Sequence, residues 1–554
     1  MIDCRQMKRI YQLKFSSILW ILFYILVFFL LLNHSYGYLD PDLGWHLKTG
    51  EEIIKTGQVP TINYVDYTLA GESWVDHEWL ANAVIYWVFI NWGYLAVNII
   101  FALIPLLTLI FLNRFIIREY TKDKTNLWLF ILIELFGLIA FMPHFGVRLQ
   151  EITFSCVFLL SINLYYYNKQ KNWKTLLWLL PIFYFWANTH GGFLIGWIIL
   201  LLFFLAKITE HLLYKLFPWK FIDFKDILSL TQIRNYILVA TGALATTFFT
   251  PYGLKLYEFF GTYTNTFYFN YILEWLPQWS YPYIYWQCAY LCLAISLLAI
   301  NLYEICKKNS TKKLNIWQFG ITLGFIILAI KSRRHFPLMF IISAPWLIAF
   351  ITEYLGIKAI NFKYFKNRVI TIIINTFLVL CFLFVSANVI VTTNFVRDPF
   401  NSFCENKYSP NKTNFLFPCQ AIKTIRDNPE YRDLKLFNNF GWGGFLIWTW
   451  PTKQLFIDGR LPQVNYEGRS LLEEYWDFFS EGKSQIYLEK HQIKMVLLYN
   501  DNRPVIFNWF ERNFLFMKES DFNDKKNYLQ EYLDHDSKWE LIYTDDLSKV
   551  YVQK

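Results

Sequence analysis

Charge is what this chain has least of. Only 17% of its 554 residues are Asp, Glu, Lys or Arg, against 55% hydrophobic and 21% aromatic, and its uncharged runs are too long for a soluble globule. Metal-type cysteine spacing is missing too. The eight cysteines are scattered, and Cys156, Cys288, Cys292 and Cys381 fall within apolar runs, where a thiol behaves as a small hydrophobe. Only Cys404 and Cys419 lie together in a polar stretch, where a disulfide is open to them if that stretch is extracytoplasmic. The chain has no glycine-rich phosphate loop of Walker or Rossmann type, no Cys/His metal spacing and no nucleophile elbow, so ATP-driven transport and serine hydrolysis find no support.

What is present is a series of apolar runs near residues 15–33, 93–113, 126–143, 151–167, 174–188, 192–208, 235–250, 286–304, 316–331, 336–352 and 369–392. They predict about eleven transmembrane helices. The segment 79–91 is too short to span comfortably and is expected to lie in the interface as an amphipathic helix. Arg5, Lys8, Arg9 and Lys14 precede the first run; no small-residue cleavage site follows it, so a retained signal anchor is expected. Assigning alternate sides gathers Arg114, Arg118, Lys122 and Lys124, then Lys307, Lys308, Lys312 and Lys313, with other basic groups, into one set of loops. The positive-inside rule then puts the N-terminus inside and accounts for most of the net charge of +9, which in a soluble domain would have suggested nucleic acid. The expected fold is an α-helical polytopic membrane domain over 1–392 with a large first outer loop at 34–80, followed by a small extracytoplasmic α/β domain over 393–554.

That first outer loop concentrates the chemistry. It carries Asp40, Asp42, His46, Asp76, His77 and Glu78 among Trp45, Trp74 and Trp79. Carboxylates beside a low-dielectric slab have raised pKa values and can act as bases near neutral pH, while indoles offer stacking faces for sugars or anchors at the headgroups. An ordinary solvated loop with an aromatic belt is the plainer alternative. Two acidic clusters, DPD and DHE, bracket the one loop and favour function.

The remaining unusual polar residues fall on the same side. They are Arg148 in PHFGVRLQE, His190 in WANTHGG, Glu274 after the TPYG turn, and Arg333, Arg334 and His335 in KSRRHFP. Basic groups placed against the positive-inside trend need a partner or a task, and an anionic ligand at the outer leaflet supplies both. Each also has a structural explanation: arginines snorkel to phosphates, the glycines of THGG serve close helix packing, TPYG is a turn, and Glu274 pairs with an arginine.

Beyond residue 393 the chain is polar and mixed in sign. β-like runs at 434–439, 454–459, 494–499, 540–545 and 549–553 alternate with helical candidates at 468–480, 484–491 and 522–534, a pattern of a small α/β domain. NFGWGGFLIW and FIDGR are compatible with glycan binding, but read more simply as a Gly-rich turn and a structural salt bridge. Asn411 begins a glycosylation sequon too short to count.

The ordered set DPDLGWHLKTG, DHEWL, VRLQ, WANTHGG, TPYG with EW, RRHFP, GWGGFLIW and FIDGR resembles bacterial membrane proteins of the C-type glycosyltransferase (GT-C) superfamily over nearly the whole chain. Gly44 stands where that group often has a second tryptophan, and Leu149 where a proline often follows the arginine; neither change removes a charge. The resemblance implies a transferase using a polyprenyl-phosphate sugar donor in the cytoplasmic membrane, with Asp40 or Asp42 as base or metal ligand. The donor phosphate is then expected against Arg148 and the Arg333-Arg334-His335 cluster, with His46, Asp76, His77, Glu78, His190 and Glu274 around the substrate. The acceptor would be an extracytoplasmic glycan, lipid or protein. Hard carboxylate oxygens suit Mg or Mn, but nothing in the sequence fixes their geometry. Two rivals stand beside this expectation: a non-catalytic lipid or glycan transporter, and a structural membrane protein whose outer domain recruits partners.

Overall fold

The computed structural model describes residues 4–37, 39–121, 127–216, 222–224, 227–264, 266–307, 313–354, 417–500, 507–518 and 527–554, with single positions at 376, 380 and 383. The chain is mostly helical with a small C-terminal α/β unit. The helices are α1 (Cys4–Gly37), α2 (Leu43–Thr56), α3 (Trp79–Phe115), α4 (Leu127–Phe141), α5 (Gln150–Gln170), α6 (Leu179–Ala187), α7 (Phe193–Leu216), α8 (Leu230–Thr246), α9 (Lys255–Gly261), α10 (Thr266–Tyr271), α11 (Tyr285–Cys306), α12 (Ile316–Lys331) and α13 (Phe336–Tyr354).

Five segments are long and apolar enough to cross a membrane: Leu19–Tyr36, Trp79–Tyr120, Phe193–Leu216, Tyr285–Cys306 and Arg333–Thr352. Phe130–His144 and Ile316–Lys331 are apolar but shorter. The eleven spans expected from sequence are therefore not all met, although ten of the runs fall on helices and the run at 369–392 lies almost wholly outside the described residues. The run at 174–188 is not one continuous α-helix. It folds as a 3-10 helix, Trp173–Trp178, running into the nine-residue α6, which together rise about 26 Å against a hydrocarbon core of about 30 Å. The segment 79–91 proves continuous with the span after it, but Gly93 (φ 79°, ψ −178°) breaks the helix between them. Only glycine adopts that conformation without a Cβ penalty.

Around α5 the bundle packs α3, α6 and α13, while α4 lies along α11 and α12 along α13. The buried core runs through Phe154, Val157, Phe158 and Leu164 of α5 and Phe325, Phe336 and Phe340 of α12 and α13.

In the C-terminal unit β1 (Leu436–Asn438), β4 (Met495–Tyr499), β5 (Trp539–Thr544) and β6 (Ser548–Gln553) form one sheet in the order β1-β4-β6-β5, and β2 (Asn465–Tyr466) with β3 (Arg469–Ser470) makes a small ribbon. Only β1 and β4 are parallel. Residues 495–498 are buried throughout, as expected of a central strand covered on both faces. Four of the five predicted strands and all three predicted helices are present. The fifth, 454–459, is not a strand of the sheet: Leu455 instead bridges Asp66 of the first loop, a partner nearly 400 residues away that no local pattern announces. GWGG is not a turn either, since Gly443–Thr449 is helical.

The stretch 34–80 is consequently not a free loop. Its α2 packs along α3 and against the Gly443–Thr449 helix, and its later part is stitched to the C-terminal unit through Tyr67 N–H to the Leu455 carbonyl (3.0 Å), Leu455 N–H to the Val65 carbonyl (3.0 Å) and Thr68 Oγ1 to the Phe456 carbonyl (2.7 Å). A Cβ on Gly44 would strike the Gly444 carbonyl, and one on Gly444 the Pro41 carbonyl. The two glycine motifs interlock backbone to backbone, which leaves no room for a tryptophan at position 44.

Candidate functional site

Four helix ends and the first loop converge at one end of the bundle. The DPD turn after α1 places Asp40, whose Oδ1 accepts the Asp42 N–H at 2.9 Å, an Asx-type turn that proline at the central position favours. The other oxygen, Oδ2, pairs with Arg148 Nε at 2.7 Å. Arg148 comes from the turn before α5, shaped by Gly146 at φ 153°. Its Nη1 reaches Glu274 Oε1, and Glu274 Oε2 accepts from Arg334 Nη1 at 3.2 Å. Asp40, Arg148, Glu274 and Arg334 therefore form a line of alternating charge drawn from four separate segments. Arg334 also lies over the Trp275 ring at 5.0 Å, and its N–H donates to the Glu274 carbonyl at 2.9 Å.

A second cluster adjoins the first. Asp76 accepts from Asn82 Nδ2 at 2.9 and 3.0 Å, which turns the amide oxygen of Asn82 toward His46 Nδ1 at 2.7 Å. His46 must donate there, so its Nδ1 carries the proton. His190 is set oppositely. Gly192 N–H donates to its Nδ1 at 2.9 Å, and Thr153 Oγ1, which accepts from Trp186 Nε1 at 2.9 Å, donates to the same nitrogen at 2.8 Å. His190 Nε2 then bears the proton and faces Glu78 Oε1 at 3.6 Å, as does His77 Nε2. These gaps exceed a hydrogen bond. The THGG glycines have local reasons: a Cβ on Gly192 would meet Thr153 Oγ1 and His190 Nδ1, and one on Gly191 the Phe260 ring and His77.

Burial sets the protonation pattern. It holds His46 down to about 4 and His77 to about 3, and His190 well below its ordinary value. Burial raises Asp76 to about 6 and Glu78 well above the carboxylate range, Glu78 also through the neighbouring Asp76. Asp42 rises to about 7 through burial and then the nearby Asp40 charge. Glu274 goes the other way, held to about 2 against its own burial by Arg148 and Arg334. At neutral pH the three histidines are uncharged and Asp42 is poised between its two forms; burial also raises Asp40, against the pull of Arg148, so the firm charges are those of Arg148, Glu274 and Arg334.

Two cavities lie near this end and share no lining residue. One of about 250 Å³ is walled by His77, His190, Arg334 and His335 with Tyr263, Tyr268 and Trp275. The other, about 1110 Å³, is a largely apolar groove between α3, α5 and α6 that runs up to Leu80, Leu149 and Thr189; Leu149 follows Arg148 and Thr189 precedes His190 in the chain, and no site side chain lines it.

The sequence-derived residues are thus brought together with one exception. Arg333 is 3% exposed and donates through Nη2 to the Ser280 carbonyl, outside the cavity wall, because successive residues of the 3-10 turn Arg333–His335 point different ways. The expected three-residue cationic cluster reduces to Arg334 and His335. Asn82, Thr153, Asn188 and Trp275 were not singled out from the sequence. Asn188 and Trp275 lay inside quoted motifs, and Asn188 now joins Trp79 Nε1 (3.0 Å) to the Phe249 carbonyl (3.2 Å). Asn82 carried no signal, since an amide inside an apolar helix is mute until its partners are known.

FIDGR takes the structural role. Arg460 pairs with Asp458 at 2.6 Å and Asp66 at 3.5 Å, donates to Asn63 Oδ1 at 3.1 Å and lies over Trp74 at 4.5 Å. Within the same segment Gly459 allows close approach, since a Cβ there would lie 2.5 Å from Asp42 Oδ1. TPYG is a turn with Gly253 at φ 52°, and its Tyr252 hydroxyl donates to the Pro60 carbonyl at 2.7 Å. Cys419 is disulfide-bonded, while Cys404 and Asn411 lie outside the described residues.

Among the described residues no group of three or more His, Cys, Asp or Glu side chains is disposed to hold a metal ion. Of the expected pair, Asp40 is engaged with Arg148, so Asp42 is the carboxylate that would hold Mg or Mn, with water and donor phosphate oxygens completing its shell. No protein-family model matches this sequence, and none of the curated proteins matches it.

Proposed function

We propose that this chain is a membrane glycosyltransferase that moves a sugar from a polyprenyl-phosphate donor to an acceptor hydroxyl outside the cytoplasmic membrane. The observation that supports it most is the meeting of Asp40 and Asp42 with Arg148, Glu274 and Arg334, the last of which also lines the aromatic cavity of about 250 Å³; an apolar groove of about 1110 Å³ lies near the same end. The isoprenoid tail occupies the groove, and the phosphate faces Arg334 with the neutral Nε2–H of His190 as a further donor. The sugar fills the aromatic-lined cavity. Asp42 is the better base of the two acids, because it is partly exposed and raised to about 7 whereas Asp40 is buried in its ion pair. The acceptor oxygen attacks the anomeric carbon, its proton passes to Asp42, and the bond from that carbon to the phosphate oxygen breaks, leaving polyprenyl phosphate with its charge against Arg334. The site residues lie at the same end of the helices as the C-terminal unit, and the reading that this end is outside rests on the gathering of basic residues in the opposite loops.

The size and predominantly apolar wall of the groove also suit a lipid carrier without chemistry. Protein in nanodiscs given lipid-linked sugars separates the two: the transferase releases polyprenyl phosphate in step with a glycosylated product, and Asp42→Asn stops it. Full activity of Asp42→Asn would remove the proposed base, and donor binding without any release would leave the carrier.

A further inference from the structure

The C-terminal unit carries an apolar surface that neither the site nor the sheet uses. Trp509 is 70% exposed and Phe516 79%, and Phe510, Phe514 and Leu515 are exposed beside them. Arg512 and Lys518 flank the patch. Five large apolar side chains in one eight-residue stretch are costly in water, and monomeric proteins rarely display such patches without a use.

What lies next to the patch identifies its occupant. Tyr285, the first residue of the apolar segment Tyr285–Cys306, donates its hydroxyl to Glu511 Oε1 at 2.6 Å and packs its ring edge-on to Phe510 at 5.6 Å. Tyr281 meets Phe507 at 5.6 Å. The stretch is therefore pinned to the outer mouth of a helix that crosses the bilayer, at the level where Trp279 and Trp286 are also exposed. Aromatic rings at that level, with cations beside them, match the composition of a membrane interface.

We infer that residues 509–516 form an aromatic finger that dips into the outer leaflet of the bilayer, seating Trp509, Phe514, Leu515 and Phe516 among lipid headgroups and upper acyl chains with Arg512 and Lys518 toward phosphates. The finger fixes the height of the C-terminal unit over the membrane, separately from the Gly44–Gly444 interlock. It holds whether or not the protein transfers sugar.

A benzophenone amino acid placed at 516, and separately at 509, in the full chain reports what surrounds them. On irradiation in phosphatidylglycerol–phosphatidylcholine nanodiscs, the protein gains the mass of one phospholipid at either position, and the adduct at 516 is lost when Trp509→Asp and Phe514→Asp are added. Cross-linking to a second copy of the chain in place of lipid overturns the inference, as does an unmodified protein whose position 516, spin-labelled, is as open to a water-soluble relaxation agent as an exposed loop. These side chains are exposed, so the charged variants fold, which retention of the Cys419 disulfide in each preparation verifies.

Discussion

Asp42 is held in its site at a cost, and replacing it should make the protein more stable even as it stops the chemistry. Its carboxyl is raised from an ordinary 3.8 to about 7 by burial and the Asp40 charge. Between those two values the folded protein keeps the proton and the unfolded chain has lost it. The folded state then binds more protons, so stability falls as pH rises, by about 1.4 kcal/mol per pH unit. Below 3.8 the contribution is fully present; above about 7 it is gone, with an accumulated loss of about 4 kcal/mol as an upper bound, lessened by the partial solvent access of Asp42. Asn has no proton to lose. The gap in unfolding midpoint between Asp42→Asn and the parent should therefore open as pH rises from 4 to 7 and stay level above 7, with the variant the more stable. Thermal unfolding in one detergent, followed by a tryptophan or light-scattering signal at half-unit pH steps, measures it. A gap that is independent of pH, or a variant less stable at pH 8 than at pH 5 relative to the parent, would refute the assignment of a strained, poised carboxyl.

Three further outcomes follow from the same geometry. Gly444→Ala forces a Cβ against the Pro41 carbonyl; it should cost about 1–3 kcal/mol and open the α2 interface, read as faster hydrogen exchange over 43–56. Arg460→Ala leaves Asp458 and Asp66 buried with no cation between them, a loss of about 3–5 kcal/mol seen as a lowered melting temperature that protonation at low pH partly restores. Glu274, held to about 2 by its two arginines, contributes stability that is present above its ordinary 4.5 and lost as pH falls through the window from 4.5 to about 2; in Glu274→Gln that acid-side slope should vanish from a pH series of unfolding midpoints.

The comparison of pattern with structure is uneven in an instructive way. α7, α11 and α13 were legible because long apolar runs have one economical outcome near a bilayer, satisfaction of every backbone group within the helix. β1, β4, β5 and β6 were legible as short apolar stretches between turns. Leu455 misled because its bridge partner is the remote Asp66, and the run at 174–188 is divided between a 3-10 helix and α6, a change of helix type that hydropathy does not register.

The amino-acid order alone determined that the chain is membrane-bound, that acids crowd its first polar stretch, and that basic groups recur at the same ends of later helices. Only the fold decided which of them meet. Arg148 and Arg334 share Glu274, yet Arg333, one residue away, is turned to a backbone carbonyl, and Asp40 is spent on an ion pair while Asp42 is left poised. Side-chain direction in a single turn, and the desolvation each group suffers from neighbours hundreds of residues distant, are properties of the packed arrangement. No local spacing encodes them.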